Sequence, residues 1–484
     1  MTTQSDSLSG SAPHPVALLG VPFDRVTAAE AVGRVEEMVS TGRPHFLVTA
    51  NVDFLVQARD DVELHRILLS ADMVLCDGTP IVWASRWQGT PLPERVAGAD
   101  VVPRLIEAAA QKGYRLFFLG ASPESAQQAV ARLRARYPAL IADCYSPPFS
   151  SLLEMDHVEC QRRISQARPH LLFVAFGCPK QEKWIAMHYR SLGVPVTIGV
   201  GATVDFLAGR VRRAPVWMQR TGAEWLFRLA QEPRRLFRRY LRDLWSFGCA
   251  FLAECRSLRK RRTRNGKRTL GDALDAVDEN ALQMNGDVLL DVKEVTSVDS
   301  SSLGRLLRLE RRVRFSGGQL ILVAAGTAVR KLLRQTRLQH FFSVAPTREA
   351  AEALMAKHSQ TQASAAVLVP ANGKDLAWRG EITAATGEAL WKETRKALQS
   401  VLASGPCTID LSEVSYIDSS GLGVMVRAKK LAQQQQQDLW FACPQVPVRN
   451  VLHLAGLERL LLHADKNQRR FRRQHLPSLE PSRV

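Results

Sequence analysis

Asp77 is a residue of this chain with a position that suits chemistry. It closes the apolar run ADMVLCDGTP, beside Gly78 and ahead of a helix-like stretch, where it could present its carboxylate into a crevice. Such a carboxylate can take the proton of a hydroxyl nucleophile in a group transfer. The same position suits a helix N-cap, where Asp is favoured, and spacing alone favours the cap. Thr49 and Asn51 close an earlier run, PHFLVTAN. Gly120-Ala121-Ser122 ends a third run and opens a helix with Glu124 in its first turn. Small residues there let backbone N–H groups approach a phosphate, although many such turns only connect elements. FGCPKQEKW, Phe176 to Trp184, is denser: Gly and Pro turn the chain, then Lys180, Gln181 and Lys183 open the next helix. Gln181 could hydrogen-bond a nucleotide or sugar and Lys180 could meet a phosphate; a solvated first turn is the alternative. Gly199 to Asp205, GVGATVD, repeats the strand-to-glycine pattern and adds Gly201 and Asp205 to the candidates.

These residues need a common platform. PHFLVTAN, ADMVLCDGTP, YRLFFLGAS, HLLFVAFGCP and VPVTIGVGAT are β-rich runs that end at Gly, Ser, Thr or Pro, and ESAQQAVARLRARY and KQEKWIAMHYRSL carry helical patterns. Strands alternating with helices predict an α/β, Rossmann-like parallel sheet covered on both faces, with ligands beyond the carboxyl ends of the strands. The pattern runs from 16 to 211. From 212 to 253 it gives way to helical segments rich in Arg and aromatics, broken at Pro233, and then to a charged stretch, 254–268, read as a linker. Arg234, Arg235, Arg238, Arg239 and Arg242 form a basic helical face, with Leu236, Phe237, Tyr240, Leu241, Leu244 and Trp245 as its apolar counterpart. Such a helix can lie in a bilayer interface, each basic residue near anionic lipid contributing about 1 kcal/mol.

The bulk composition narrows the classes. With 484 residues, 46% of them hydrophobic and 23% charged, the chain is globular and long enough for about three domains. A net charge of +18 calls for a polyanionic neighbour such as lipid head groups, phosphorylated substrates or nucleic acid. No helix-turn-helix, zinc-finger or aromatic RNA-binding motif supports the last. The eight cysteines show neither CxxC pairs nor zinc-ligand spacing, so they read as reduced thiols of a cytosolic protein, and no metal site is expected. Residues 1–15 carry no signal-peptide pattern and read as a disordered leader. No apolar run approaches the ~20 residues that span a bilayer, which leaves a peripheral membrane association.

TANVDF, CDGTP, ERVAGAD, FFLGAS, FGCPKQEKW, GVGATVDFLAG, RRAPVWMQ and EWLFRLAQEPRRLFRRYL resemble, in order, the blocks of the WecG/TagA/CpsF glycosyltransferases (glycosyltransferase family 26). The similarity runs from about Val16 to Trp245. It implies an inverting transfer from a UDP-sugar, commonly UDP-N-acetylmannosamine or a related sugar, to a polyprenyl-diphosphate-linked sugar at the cytoplasmic membrane face. No cofactor and no strict metal requirement are implied. The family's general base falls on Asp77, which reverses the capping preference, its positioning Thr on Thr49 and its functional Gln on Gln181. Asn51, Gly78, Arg95, Gly120, Ser122, Lys180, Gly201 and Asp205 become the expected substrate contacts. Arg212, Arg213, Arg220 and Arg228 become candidates for the diphosphate, with plain surface charge as the alternative. A catalytically idle membrane scaffold is the competing function.

The remainder holds an internal repeat. VLLDVKEVTSVDSSSLGRLLRLERRV and TIDLSEVSYIDSSGLGVMVRAKKL both read strand, turn, Asp-Ser-Ser, amphipathic helix, and both continue into a second strand, QLILVAAG or DLWFACPQ. Asp418 to Gly423 resembles the signature of STAS domains, the anti-sigma-factor-antagonist family; Asp299 to Gly304 is the second instance. In that family the Ser before Gly is phosphorylated by a partner kinase, which implies Ser420 and, by alignment, Ser301, although Ser302 stands where the family has Gly. A plain helix cap is the alternative in both copies. The resulting organisation is a transferase domain 16–211, an appendage 212–253, a linker 254–268, a STAS-like module 269–356 with its first strand truncated, a linker 357–366, a second module 367–464 and a basic tail 465–484. The modules would dock a partner or control assembly or membrane placement, and oligomers are open to the chain.

Overall fold

The computed structural model describes residues 14–221, 223–231, 233–262, 269–275, 287–295, 298–315, 318–339, 341–361, 366–368, 375–402 and 405–462. The expected leader, apart from 14 and 15, and the basic tail lie outside these residues, as do parts of both expected linkers. The described residues form two compact units: those up to 60, within 64–149 and within 155–357 form one, and those from 358 to 462, with 61–63 and 150–154, form the other.

The first unit opens with a hairpin that the sequence reading passed over, β1 (Val16–Leu18) against β2 (Val21–Phe23). Next comes α1 (Ala28–Thr41), whose start is a capping box of Thr27 and Glu30 and whose end is left-handed Gly42. Alternating elements follow: β3 (His45–Ala50), α2 (Val52–Ala58), α3 (Val62–Ser70), β4 (Met73–Cys76), α4 (Thr79–Trp87), α5 (Gly98–Lys112), β5 (Leu116–Gly120), α6 (Pro123–Arg136) and β6 (Ala142–Tyr145). Then come α7 (His157–Ala167), β7 (Leu171–Ala175), α8 (Lys180–His188), β8 (Val196–Gly199) and α9 (Thr203–Ala208). The six strands from β3 to β8 form one parallel sheet in the order β4-β3-β8-β7-β5-β6. The five expected runs are all strands of it. The sixth, β6, is a half-exposed edge strand, ADCY, with too little apolar character to stand out in sequence.

Helices cover both faces, so β3, β4, β5, β7 and β8 are buried along nearly their whole length rather than at alternate residues. Leu47, Met73, Phe118, Phe173 and Ile198 are linked through the strand registers and lie in one buried core with Ala31, Val35, Leu105, Ala129 and Val204 of the helices. The Phe118 and Phe173 rings stack at 5.1 Å. Burying each such side chain contributes roughly 1.5–3 kcal/mol.

The appendage consists of α10 (Val216–Thr221), α11 (Glu224–Gln231) and α12 (Pro233–Arg262). Pro233 begins α12, where its missing N–H costs nothing. Residues 254–262, read as linker, are the last turns of this helix. Glu254 explains the difference: it is buried and accepts a hydrogen bond from the Leu19 N–H at 3.1 Å, which ties the helix to the β1–β2 turn.

The first repeat follows as α13 (Leu270–Asp275), β9 (Val288–Asp291), α14 (Ser300–Phe315), β10 (Leu320–Val323), α15 (Thr327–Gln335), β11 (Ser343–Ala345) and α16 (Arg348–Thr361). Among the described residues its sheet is parallel, in the order β11-β10-β9. This module shares a core with the domain before it: Ala17 and Leu69 pack with Leu303, Leu306, Leu307 and Leu322. Gly304 of α14 faces the Pro15 carbonyl, and the Ser300 and Thr90 hydroxyls lie 3.0 Å apart. Arg311 donates to the Asp72 carbonyl.

The second unit contains β12 (Ala366–Leu368), β13 (Leu376–Ile382), α17 (Gly387–Val401), β14 (Cys407–Ile417), α18 (Ser419–Gln434), β15 (Leu439–Ala442), α19 (Val446–Leu454) and α20 (Glu458–Leu461). Its sheet order is β12-β13-β14-β15, with only β12 antiparallel to its neighbour. The expected strand KDLAWRGEI is β13, and the glutamine run 433–437 terminates α18. Trp378, Ile409, Met425 and Phe441 are fully buried in this unit's own core.

Candidate active site

Strand register brings the candidates to one edge. Thr49 pairs with Leu75 one residue before the ends of β3 and β4; Val48 and Val174 both pair with Gly199; Gly120 pairs with Ala175. The polar residues that follow these strands therefore gather at the carboxyl end of the sheet, where the ligand crevice of such folds lies.

Asp77 stands directly after β4, and its N–H donates to the Ala50 carbonyl at 2.9 Å. It does not cap α4. Gly78 is the N-cap there, with no side-chain hydrogen bond, and Pro80 in the first turn offers no N–H. The carboxylate instead points to Arg95, whose Nη1 lies 3.9 Å from Oδ1, and 28% of the Asp77 side chain stays open at the crevice floor. Burial raises its pKa to about 6 against the opposing pull of Arg95 and Arg228, and Glu224 and Asp100 add to the rise. A carboxylate tuned to that range is suited to accept a proton near neutral pH.

Arg95 is held by the bond from the Val96 N–H to the Cys76 carbonyl, 2.8 Å, which lays its loop beside the end of β4. Its guanidinium donates to Glu224 at 3.0 Å and to Asp100 at 3.1 Å. Arg213 donates to the same Asp100 and to the Ala99 carbonyl, the latter at 3.1 Å. Arg228 reaches Glu224 at 4.0 Å and lies 5.2 Å over the Phe206 ring. Three arginines thus converge beside Asp77, two of them from the appendage. Asp100 and Glu224, which organise them, escaped the sequence reading: each looks like an ordinary acid in a first helical turn.

Gln181 takes a different place from the one its position suggested. It is buried, and its Oε1 accepts from the N–H groups of Gly177 and Gly201 at 3.1 and 3.2 Å. Its Nε2 donates to Glu182 at 2.7 Å. This amide pins two glycine turns together, and Gly199 leaves it room, since a Cβ there would lie 2.8 Å from Nε2. Glu182 is a third residue the sequence reading missed; burial lifts its pKa to about 7, opposed by the bond from Gln181. Thr49 is buried too, donating to the Gly199 carbonyl at 3.4 Å and touching the space over Gly98.

The remaining candidates scatter. Asn51 caps α2, accepting from the N–H groups of Asp53 and Phe54, and Ser122 caps α6 while receiving a bond from Arg210. Gly120, at φ +98, is needed because a Cβ would lie 2.7 Å from the Ala175 carbonyl. The Lys180 ammonium sits 5.5 and 5.3 Å from the Phe149 and Phe176 rings. Asp205 lies in the first turn of α9, and Arg212 is exposed. Arg220 lies on α10 with its side chain outside the described residues. Of the expected basic face on α12, Arg239 pairs with Asp53 and Asp243, and Arg242 with Asp243 at 3.2 Å. Ser301 and Ser420 are both half-buried in the first turns of α14 and α18. Ser302 is buried, and its hydroxyl closes the turn onto Asp299 at 3.1 Å.

The family model described as glycosyl transferase WecG/TagA/CpsF family matches residues 16–262, the stretch that carries this crevice and the appendage. The chain belongs to that family. It is accordingly a glycosyltransferase. A STAS domain model matches residues 255–351, and one described as Mlab, STAS domain matches 369–463. Among similar proteins, two are N-acetylglucosaminyldiphosphoundecaprenol N-acetyl-beta-D-mannosaminyltransferases of Bacillus. That of B. spizizenii strain W23 is 34% identical over 190 residues, 39% of this chain and 72% of the relative. That of B. subtilis strain 168 is 33% identical over 187 residues, 39% of this chain and 72% of the relative. The like-named protein of Staphylococcus aureus strain MW2 is 28% identical over 225 residues, 46% of this chain and 87% of the relative. The WecG/TagA/CpsF match thus takes in both the end of the sheet that carries Asp77 and helices α10 to α12.

Proposed function

We propose that this glycosyltransferase moves N-acetylmannosamine or a related hexose from a UDP-sugar to a polyprenyl-diphosphate-linked sugar at the cytoplasmic membrane face, with inversion, in exopolysaccharide or other envelope-glycan synthesis. The relatives' names support the acceptor class and the sugar. The observation that carries the reading is the Asp77 carboxylate, raised to a pKa of about 6, uncommitted to a cap and set beside the Arg95 guanidinium. Asp77 takes the proton of the acceptor hydroxyl as that oxygen attacks the anomeric carbon. The bond from this carbon to the UDP oxygen breaks on the opposite face, and UDP leaves with the electron pair. Arg95, Arg213 and Arg228 offset the charge of the diphosphate. Thr49 and Gln181 hold the glycine turns that shape the crevice.

Peripheral membrane placement fits the appendage. Among the described residues no helix is long and apolar enough to cross a membrane. Trp217, Trp225, Phe237, Leu241, Leu244 and Trp245 are exposed on α10, α11 and α12, and an open groove between α11 and α12 has an apolar floor of Leu226, Leu229 and Phe237 with Arg234 and Arg238 alongside. Trp83 and Trp87 add two exposed aromatics on α4, the helix that follows Asp77. Indole rings beside arginines suit the headgroup region of a bilayer. The STAS modules dock a partner or control placement of the transferase, with Ser420 and Ser301 as phosphoacceptors.

The test is transfer from a panel of UDP-sugars to a synthetic polyprenyl-diphosphate sugar. Turnover by the native chain that collapses in Asp77→Asn supports the reading and names the donor. No turnover with any donor by folded, lipid-binding protein overturns it in favour of a scaffold.

A further inference from the structure

The arginine cluster beside Asp77 is already neutralised. Arg95, Arg213 and Arg228 face three carboxylates, Asp77, Asp100 and Glu224, so the six groups sum to zero when all are ionised. A diphosphate entering that cluster meets no net positive charge unless one carboxylate withdraws. Asp77 is at the reacting centre. Asp100 belongs to α5 of the sheet domain and holds Arg95 and Arg213 from one side. Glu224 comes from a separate element, α11 of the appendage, and among the described residues is the one acid within ion-pair distance of all three arginines, at 3.0 Å to Arg95, 3.6 Å to Arg213 and 4.0 Å to Arg228. Its carboxylate is buried in the middle of them. The fit is incomplete: the buried Nε of Arg213 has no hydrogen-bond partner among the described residues, and Glu224 stands beyond hydrogen-bond range of it. A planar two-oxygen carboxylate cannot serve three guanidinium forks at once, whereas the oxygens of a diphosphate can.

We propose that Glu224 is a placeholder for diphosphate: its carboxylate occupies the cradle of Arg95, Arg213 and Arg228 until a diphosphate displaces it and α11 shifts. The proposal rests on the transferase reading and adds to it an internal competitor that couples occupancy of the crevice to the position of the appendage. Such a device keeps the arginines desolvated and oriented between turnovers at the expense of affinity.

Calorimetric titration with inorganic pyrophosphate, UDP and farnesyl diphosphate tests it on the full chain. Glu224→Gln keeps the volume and removes the charge. It is expected to bind pyrophosphate about tenfold more tightly than the native chain, because a competing anion is gone. Tightening for UDP alone assigns the cradle to the donor, and tightening for farnesyl diphosphate alone assigns it to the acceptor; either supports the placeholder. Glu224→Asp, which draws the carboxylate back by one methylene, is the second variant and is expected to tighten binding by a smaller factor. Unchanged or weaker binding in both variants overturns the proposal and makes Glu224 an organiser of the arginines. Absence of pyrophosphate binding by the native chain also overturns it; sugar transfer persisting in that case leaves the transferase reading standing, and its absence removes both.

Discussion

Two strand ends in this molecule carry an aspartate followed by small residues and a helix: Cys76-Asp77-Gly78 after β4 and Ile417-Asp418-Ser419 after β14. Both carboxyls are raised by burial, to about 6 and about 7. Asp418 is a cap. Its Oδ1 accepts from the N–H groups of Ser420 and Gly421 at 2.8 and 3.0 Å, and its Oδ2 accepts from Ala384 at 3.0 Å. Asp77 makes no such bond. The difference lies in one inserted glycine and one proline. Helix α18 begins at the residue after Asp418, whereas Gly78 takes the N-cap of α4 and Pro80 removes an N–H from its first turn. A carboxylate denied its local backbone partners is left for long-range ones, here Arg95.

The STAS modules supply a second contrast. A Cβ at Gly304 would run into the Pro15 carbonyl, whereas one at the equivalent Gly423 meets nothing within 4 Å among the described residues. Gly421 is different again: a Cβ would lie 2.7 Å from the Ile382 carbonyl, while at the matching place of the first module Ser302 donates its N–H to the Asp299 carboxylate at 2.6 Å. One repeated motif therefore packs on backbone at Gly304 in the first copy, whereas in the second it packs at Gly421 and binds Glu63 through the N–H and hydroxyl of Ser419, at 2.6 and 2.9 Å.

These contrasts can be broken experimentally. The largest effect is expected for Asp77→Asn, with kcat/KM for sugar transfer down about 10²–10⁴-fold and the melting temperature nearly unchanged. In the native chain kcat/KM should rise with pH through about 6 and level above it, because the base must be deprotonated. A comparable loss of melting temperature would make Asp77 a structural residue like Asp418. Gly304→Ala comes next: overpacking against backbone should destabilise the first unit by about 3 kcal/mol, read by denaturant titration. Asp418→Ala should cost about 2 kcal/mol in the second unit, for the lost cap and an unsatisfied Ala384 N–H, and leave the rate of transfer alone. The smallest effect, and of opposite sign, is expected for Gly423→Ala, which should stabilise α18 by about 0.5–1 kcal/mol; destabilisation there would mean that both modules use this face for close packing.

Much of the sheet was legible because a strand buried on both faces has a continuous apolar signature; PHFLVTAN and HLLFVAFGCP needed no context. The edge strand β6 and the three-residue hairpin β1–β2 were not, since their apolar content is ordinary and their pairing is a matter of what packs on them. The last turns of α12 read as linker from their charge, and only the burial of Glu254 against Leu19 reveals them as part of the helix. In the site, Asp77, Thr49, Gln181 and Arg95 could be named from spacing and resemblance. Asp100, Glu182 and Glu224 could not, because an acid in a first helical turn is common for reasons unrelated to ligands.

The sequence by itself determined the parallel α/β sheet, the strand ends that carry the polar motifs and the duplication of the C-terminal module, because periodicity and turn chemistry are local. Only the tertiary structure decided that Asp77 faces an arginine and Asp418 its own backbone, that Gln181 braces two glycine turns, and that Glu224 sits among three arginines. Those outcomes depend on charges and amides brought together from residues far apart in the chain, and local pattern carries no record of such distances.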